Sequence, residues 1–204
     1  EQLETLITSL SRLQGLPMYD WVEGLLTNLR YRFGLRGTEA NFIGFEQNRD
    51  MAGLRHLSNL TNCIIKHQPV VIDYHPFGKE VIQWTIHPYY LKQYNNRWYL
   101  LGYNPEFDDL SIIPLDRIEN VTYSEVTFKR NLDFNFDAYF RDILGISIEK
   151  DKEVEHIRLK FSPQRLPYVI SKPIHHTQKV EDAAEGIISL YLIPNKELVS
   201  ELIW

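Results

Sequence analysis

Rings and cations alternate between residues 74 and 103. Tyr74, Trp84, Tyr89, Tyr90, Tyr94, Trp98, Tyr99 and Tyr103 are interleaved with His75, Lys79, His87, Lys92 and Arg97. Aromatic faces stack on bases and nearby cations neutralise phosphates, so this mixture suits a nucleotide or a single-stranded nucleic acid. The competing reading is structural, because aromatic residues also form strands well and half of them must fill an interior. Charge sharpens the question. Residues 69–128 hold four Lys and Arg against eight Asp and Glu, yet residues 81–102 hold two cations and no acid. A local positive groove on an acidic segment is the expectation.

Other chemistry lacks its parts. His175 and His176 are adjacent, so in extended chain they point to opposite sides and do not share an ion easily. Cys63 and His67 stand four apart, and His75 and His87 flank a hairpin, but neither pair has the further ligands that zinc requires. No Gly-x-Ser-x-Gly elbow is present, and Cys63 falls on the buried side of a helix, where a thiol is inert. Gly34, Gly37 and Gly44 fit no phosphate-binding loop. Asp108 and Asp109 lie in a turn and read as solvated. The expectation is a protein that is not an enzyme and uses no cofactor or metal.

The 204 residues are 44% hydrophobic and 24% charged, with a net charge of −5. Such a chain is globular, and it lacks the uniformly basic surface of a non-specific polyanion binder. A single cysteine excludes an intramolecular disulfide. No apolar run reaches the length of a membrane span, and the first ten residues do not form a signal peptide. A cytoplasmic protein without membrane contact is expected.

Apolar spacing predicts helices over residues 3–13, 19–29 and 52–66, the last burying Leu54, Leu57, Leu60, Ile64 and Ile65, with a short extended piece within residues 41–50. At Gln68 the period changes to alternation. Strands are predicted at 70–74, 81–87, 89–94, 97–103, 110–113 and 121–128, separated by Pro76-Phe77-Gly78, Asn95-Asn96 and Asn104-Pro105. Six short strands in about 60 residues predict a small closed or nearly closed barrel. From Asn131 the order becomes a helix at 136–144, a strand at 154–161, a helix from Ser162-Pro163 to 170, strands at 177–181 and 186–193, and a helix capped by Asn195. This β-α-β-β-α order is most of a ferredoxin-like unit whose closing strand would lie beyond Trp204. The fold class is therefore α+β: a helical linker and dimerisation region (1–67), a barrel (68–130), and a connector helix with a truncated extension (131–204). The chain opens at Glu1 and stops at Trp204, each inside a helical pattern, and so reads as a fragment.

The run from His87-Pro88-Tyr89-Tyr90-Leu91-Lys92 through Arg97-Trp98-Tyr99-Leu100-Leu101-Gly102-Tyr103, followed by Pro114-Leu115-Asp116-Arg117-Ile118, closely resembles the WYL domain, which is named for the tripeptide at Trp98-Tyr99-Leu100. Tyr139-Phe140-Arg141-Asp142-Ile143-Leu144-Gly145 and Lys172-Pro173-Ile174-His175-His176 look like the C-terminal extension of such proteins. Phe45-Glu46-Gln47-Asn48 looks like the linker of Bacteroides-type members.

The resemblance implies an Sm-like or SH3-like barrel acting as the sensor of a bacterial transcription regulator. Such regulators carry a winged helix-turn-helix before the linker, of which this chain shows no trace. Duplex DNA would be met only through that missing module, while the barrel binds a nucleotide or single-stranded nucleic acid. A homodimer is implied. Arg117, the arginine of Asp-Arg-Ile, is the first expected phosphate contact through its planar fork. His87, Tyr89 and Lys92 match the strand before the naming motif, and Tyr74, Arg97 and Tyr99 complete the expected ligand-binding set. Trp98 and Leu100 are expected to pack inside. Ser111 and Pro114 stand where the family often has two more arginines, which removes two cations from the groove. The alternative is a non-catalytic interaction module, in which linker and extension dimerise and the barrel binds nothing.

Overall fold

The computed structural model describes residues 53–203 apart from Asn96, Asp133, Ile148 and Lys150. The helices expected at 3–13 and 19–29 and the extended piece within 41–50 lie outside these residues. Two compact units divide the chain, the first ending at Asn131 and the second beginning at Leu132. The architecture is mixed α+β with antiparallel sheets and, among the described residues, four α-helices.

In the first unit, α1 (Leu54–Ile65) is followed by β1 (Val70–Tyr74), β2 (Ile82–Tyr94), β3 (Arg97–Asn104), β4 (Asp109–Pro114), a 3-10 turn (Leu115–Arg117) and β5 (Ile118–Tyr123). The sheet order is β4-β3-β2-β1-β5, with every neighbouring pair antiparallel. α1 buries Leu57, Leu60 and Cys63 against Val70, Ile72, Ile86, Leu100, Ile113, Leu115 and Ile118, with Trp98 packed on the same core. Each fully buried aliphatic side chain of this kind contributes on the order of 1.5–3 kcal/mol. Ile65, expected on the buried face, is 68% exposed. One residue past Ile64 turns the helix by roughly 100° and carries it off the apolar stripe.

Two predicted strands, 81–87 and 89–94, are one strand, β2. Pro88 does not break it, because the register slips there: Pro88 opposes Gly102, but Tyr90 opposes Leu101. The extra residue of this bulge is Tyr89, and the irregular ladder beside it accommodates Pro88, which has no N–H to donate. The bulge also exchanges the faces of β2, so Ile86 before it and Leu91 after it both pack on the same core. Gly102 lies tight against β2. A Cβ there would sit 2.5 Å from the His87 carbonyl oxygen and 2.7 Å from Ile86 Cγ2. The last strand starts earlier and ends sooner than alternation implied, at Tyr123 rather than residue 128.

The second unit contains α2 (Phe136–Arg141), β6 (Glu155–Lys160), α3 (Leu166–Ser171), β7 (Lys179–Asp182), β8 (Ile187–Leu192) and α4 (Lys196–Leu202), with sheet order β6-β8-β7. Ile188, Leu190 and Leu192 alternate onto one face and pack on Leu166, Val169 and Leu198. Asn135 and Asn195 cap α2 and α4, accepting from the backbone N–H of Ala138 and Leu198. α2 stops at Arg141, short of residue 144. α3 begins at Leu166 rather than Pro163; residues 163–165 form a turn in which the Arg165 N–H donates to Ser162 Oγ at 3.3 Å.

Candidate functional site

The 3-10 turn between β4 and β5 sets the position of Arg117. Leu115 anchors the turn in the core, and the His75 N–H donates to the Arg117 carbonyl at 2.9 Å, fastening it to the end of β1. From there the guanidinium lies over the Phe77 ring at 3.6 Å and donates from Nη1 to Tyr74 Oη at 3.3 Å. Its Nε is buried without a hydrogen-bond partner. Tyr74 stacks on Trp84 (4.6 Å, 18°), and Phe107 meets Trp84 edge-on (5.5 Å, 79°). Phe77 is 75% exposed and Phe107 55%, so the rings reach solvent. A cation on an aromatic face keeps its charge and its outer N–H edge.

Among the described residues, Arg117 forms no ion pair, although acidic residues crowd its sequence neighbourhood. Each of those neighbours is engaged elsewhere. Asp116 is held by both Nε and Nη2 of Arg97. Glu119 meets His75 Nδ1 at 2.8 Å, and Asp73 accepts from Gln83 at 2.8 Å. Asp116 is thus neutralised by Arg97, and Glu119 and Asp73 are hydrogen-bonded to His75 and Gln83, so none of the three carboxylates turns to Arg117.

The remaining candidates form other groupings. Arg97 touches the same turn, but its planar fork is closed on both Asp116 oxygens. That bond, more than any other neighbour, pushes its pKa up. It is therefore not the spare cation that its position in the sequence suggests. Lys92 opposes Tyr99 across β2 and β3, and burial lowers the Lys92 pKa. Antiparallel partners share a face, so Lys92 and Tyr99 lie opposite the core face on which Leu91 and Leu100 pack. His87 and Tyr89 belong to a third grouping. His87 is buried beside Tyr103 and Phe128 and accepts the Lys129 N–H on Nδ1, while Tyr89 donates to the Lys129 carbonyl. Burial, with the Lys129 ammonium, lowers the His87 pKa and so favours the neutral ring.

Of the seven expected residues, the structure brings Arg117 into contact with Tyr74, and Arg97 into contact with Tyr99, which Lys92 faces across the strands. The strand period of two and the β2 bulge distribute the others. Sequence reasoning missed Phe77 and Phe107, each at the tip of a segment read only as a turn. An aromatic side chain at a turn tip was the overlooked signal, since a turn needs no ring for its own geometry.

Among the described residues no helix is long and apolar enough to cross a membrane, and no group of three or more His, Cys, Asp or Glu is placed to hold a metal ion. The chain carries a WYL domain: that family model matches residues 55–123. Comparison with curated proteins gives no match. Among solved structures, the proteasome accessory factor B/C (PafBC) of Arthrobacter aurescens is similar at 14% identity with a TM-score of 0.37, the match covering 74% of this chain. This chain spans 22% of the length of that structure.

Proposed function

We propose that this chain is the sensing part of a bacterial transcription regulator, binding a nucleotide or single-stranded nucleic acid at Arg117. The observation that carries this reading is the guanidinium without a carboxylate partner, set over Phe77 and joined to the Tyr74–Trp84 stack within a WYL domain. Phosphate would take the outer edge of the guanidinium in a charge-assisted fork, and a base would lie against Phe77 or Phe107. Arg97 acts indirectly, by keeping Asp116 away from Arg117.

Among the described residues the five-stranded sheet is not closed, since β4 and β5 are its two edges and do not pair, and the Sm-like or SH3-like reading draws on the strand count and the 3-10 turn before the last strand. The order β6-α3-β7-β8-α4 agrees with five elements of a ferredoxin-like unit. In this reading the protein is cytoplasmic, non-catalytic and homodimeric, and duplex DNA is contacted by a helix-turn-helix outside this chain.

Fluorescence polarisation with single-stranded DNA, RNA and duplex over a salt series tests the proposal. Binding of a single strand that weakens steeply with salt, and that is lost in Arg117→Ala, is the expected result. Weak binding unaffected by salt or by Arg117→Ala sinks it. A second reading, a protein-interaction module, draws on the exposed Phe77, Val81, Ile82 and Phe107 and on the uncharged Ser111 and Pro114. Turnover of nucleotides or cyclic nucleotides would overturn the non-catalytic assignment.

A further inference from the structure

Beyond the end of β5 the chain is fastened to the first unit at two places. Ser124 donates its N–H to the Pro69 carbonyl at 2.9 Å and accepts from Gln68 Nε2 at 2.7 Å. The second fastening is at Phe128 and Lys129. The Phe128 ring lies against His67, His87 and Tyr89, at 5.1, 5.7 and 5.8 Å. The Lys129 N–H donates to His87 Nδ1 at 3.0 Å, and its carbonyl accepts from Tyr89 Oη at 2.6 Å. Its ammonium sits 3.5 Å over the Tyr103 ring and 3.6 Å from Asp108.

We propose that residues 124–131 form an acid-released strap, opened when His87 takes a proton. Nδ1 accepts a hydrogen bond here only in the neutral ring protonated at Nε2. A second proton sets N–H against N–H and brings an imidazolium beside the Lys129 ammonium. The ionisable groups around the ring are Tyr89 on β2, Tyr103 on β3, Asp108 in the turn after β3 and Lys129 on the strap, with His67 facing it across Phe128. Asp108 is the one carboxylate among them, and it already serves Tyr103 and Lys129. A charged His87, 4% exposed, therefore gains no new counter-ion.

Burial first and Lys129 second depress the proton affinity of the closed state. The open strap thus binds the proton more tightly. Closure is complete above the ordinary imidazole value of about 6.5 and is lost as pH falls through the lower value of the closed form. Release frees the chain up to Asn131, next to the start of the second unit at Leu132. It also uncovers an imidazolium, Tyr89 and Tyr103. This inference does not depend on ligand binding at Arg117.

Amide hydrogen exchange followed by NMR on the whole chain, corrected for intrinsic rates, tests it. Between about pH 7.5 and about pH 5, protection of the Lys129 amide should fall at least about tenfold while Leu100, bonded within the sheet, stays protected. His87→Phe, which keeps a ring but no acceptor, should leave Lys129 unprotected at both pH values. Equal Lys129 protection at the two pH values overturns the strap, as does parallel loss at Leu100. A ring titration placing His87 at or above about 6.5 overturns it without any variant.

Discussion

Two cations in the first unit sit over aromatic rings at nearly the same distance, Arg117 over Phe77 at 3.6 Å and Lys129 over Tyr103 at 3.5 Å. What surrounds them differs. Lys129 meets Asp108, and its main chain is bonded on both sides, to His87 and to Tyr89. Arg117 meets a phenol and a phenyl ring, and the acids nearest in sequence are bound to Arg97 and His75. One grouping is closed on itself and serves as a fastening. The other retains an uncompensated charge and is suited to an external anion. Ring and cation content is alike in the two places, so composition does not separate a binding site from a clasp. The position of the carboxylates does.

The comparison breaks most sharply at Arg117. Arg117→Ala should weaken single-strand binding by roughly ten- to a hundredfold, the size of a lost charge-assisted hydrogen bond, and flatten the salt dependence by about one unit of slope. Lys129→Ala should change the same titration by less than about twofold, because Asp108 already balances that charge. Equal losses in the two variants would erase the distinction drawn above.

Gly102 tests the framework between the two groupings. Gly102→Ala forces a Cβ onto the His87 carbonyl and should lower stability by about 1–3 kcal/mol, read as a shift in urea midpoint. An unchanged midpoint would mean that β2 and β3 separate freely at this point.

Arg97 sharpens the electrostatic account. Arg97→Ala releases Asp116 beside Arg117 and should cost about three- to tenfold in affinity. Adding Asp116→Asn should restore most of the loss, since the competing charge is then gone. Failure of the double variant to recover would assign Arg97 a direct contact instead.

The smallest effect belongs to Asp108. The Tyr103 hydroxyl first, then Lys129, hold its carboxyl below the usual carboxylate range. Its contribution is present above the ordinary value near 4 and is lost as pH falls through the depressed one. Asp108→Asn should therefore raise amide exchange at Lys129 modestly near neutral pH and leave Leu100 unchanged. No change at Lys129 would confine the fastening to His87 and Tyr89.

Much of the framework was legible in the residues. Val70, Ile72 and Tyr74 alternate as a half-buried strand must, and Leu100 and Trp98 pack inward as the motif implied. Asn195 caps the helix that follows it, as its place before the last apolar pattern implied. Less legible was β2, because Pro88 reads as a break until a partner strand shows the register slipping around it. Ile65 continued an apolar list but not an apolar stripe. Phe77 and Phe107 were lost among turn residues, since a turn signal says where the chain reverses and nothing about what its tip touches.

Arg117 and Tyr74 stood in the sequence as a cation and a ring, and alternation set which strand residues would share a face everywhere except across the bulge in β2. Whether each cation would find a carboxylate depended on contacts across long stretches of chain, Arg97 with Asp116, His75 with Glu119, Lys129 with Asp108. Those meetings follow from sheet register, the bulge in β2 and the 3-10 turn. Local sequence sets the kind of charge a residue carries. An ion pair forms only where folding brings the two groups within a few ångströms, and the Coulomb attraction fades quickly beyond that in water and salt, so the tertiary structure decided which cation stayed without a carboxylate.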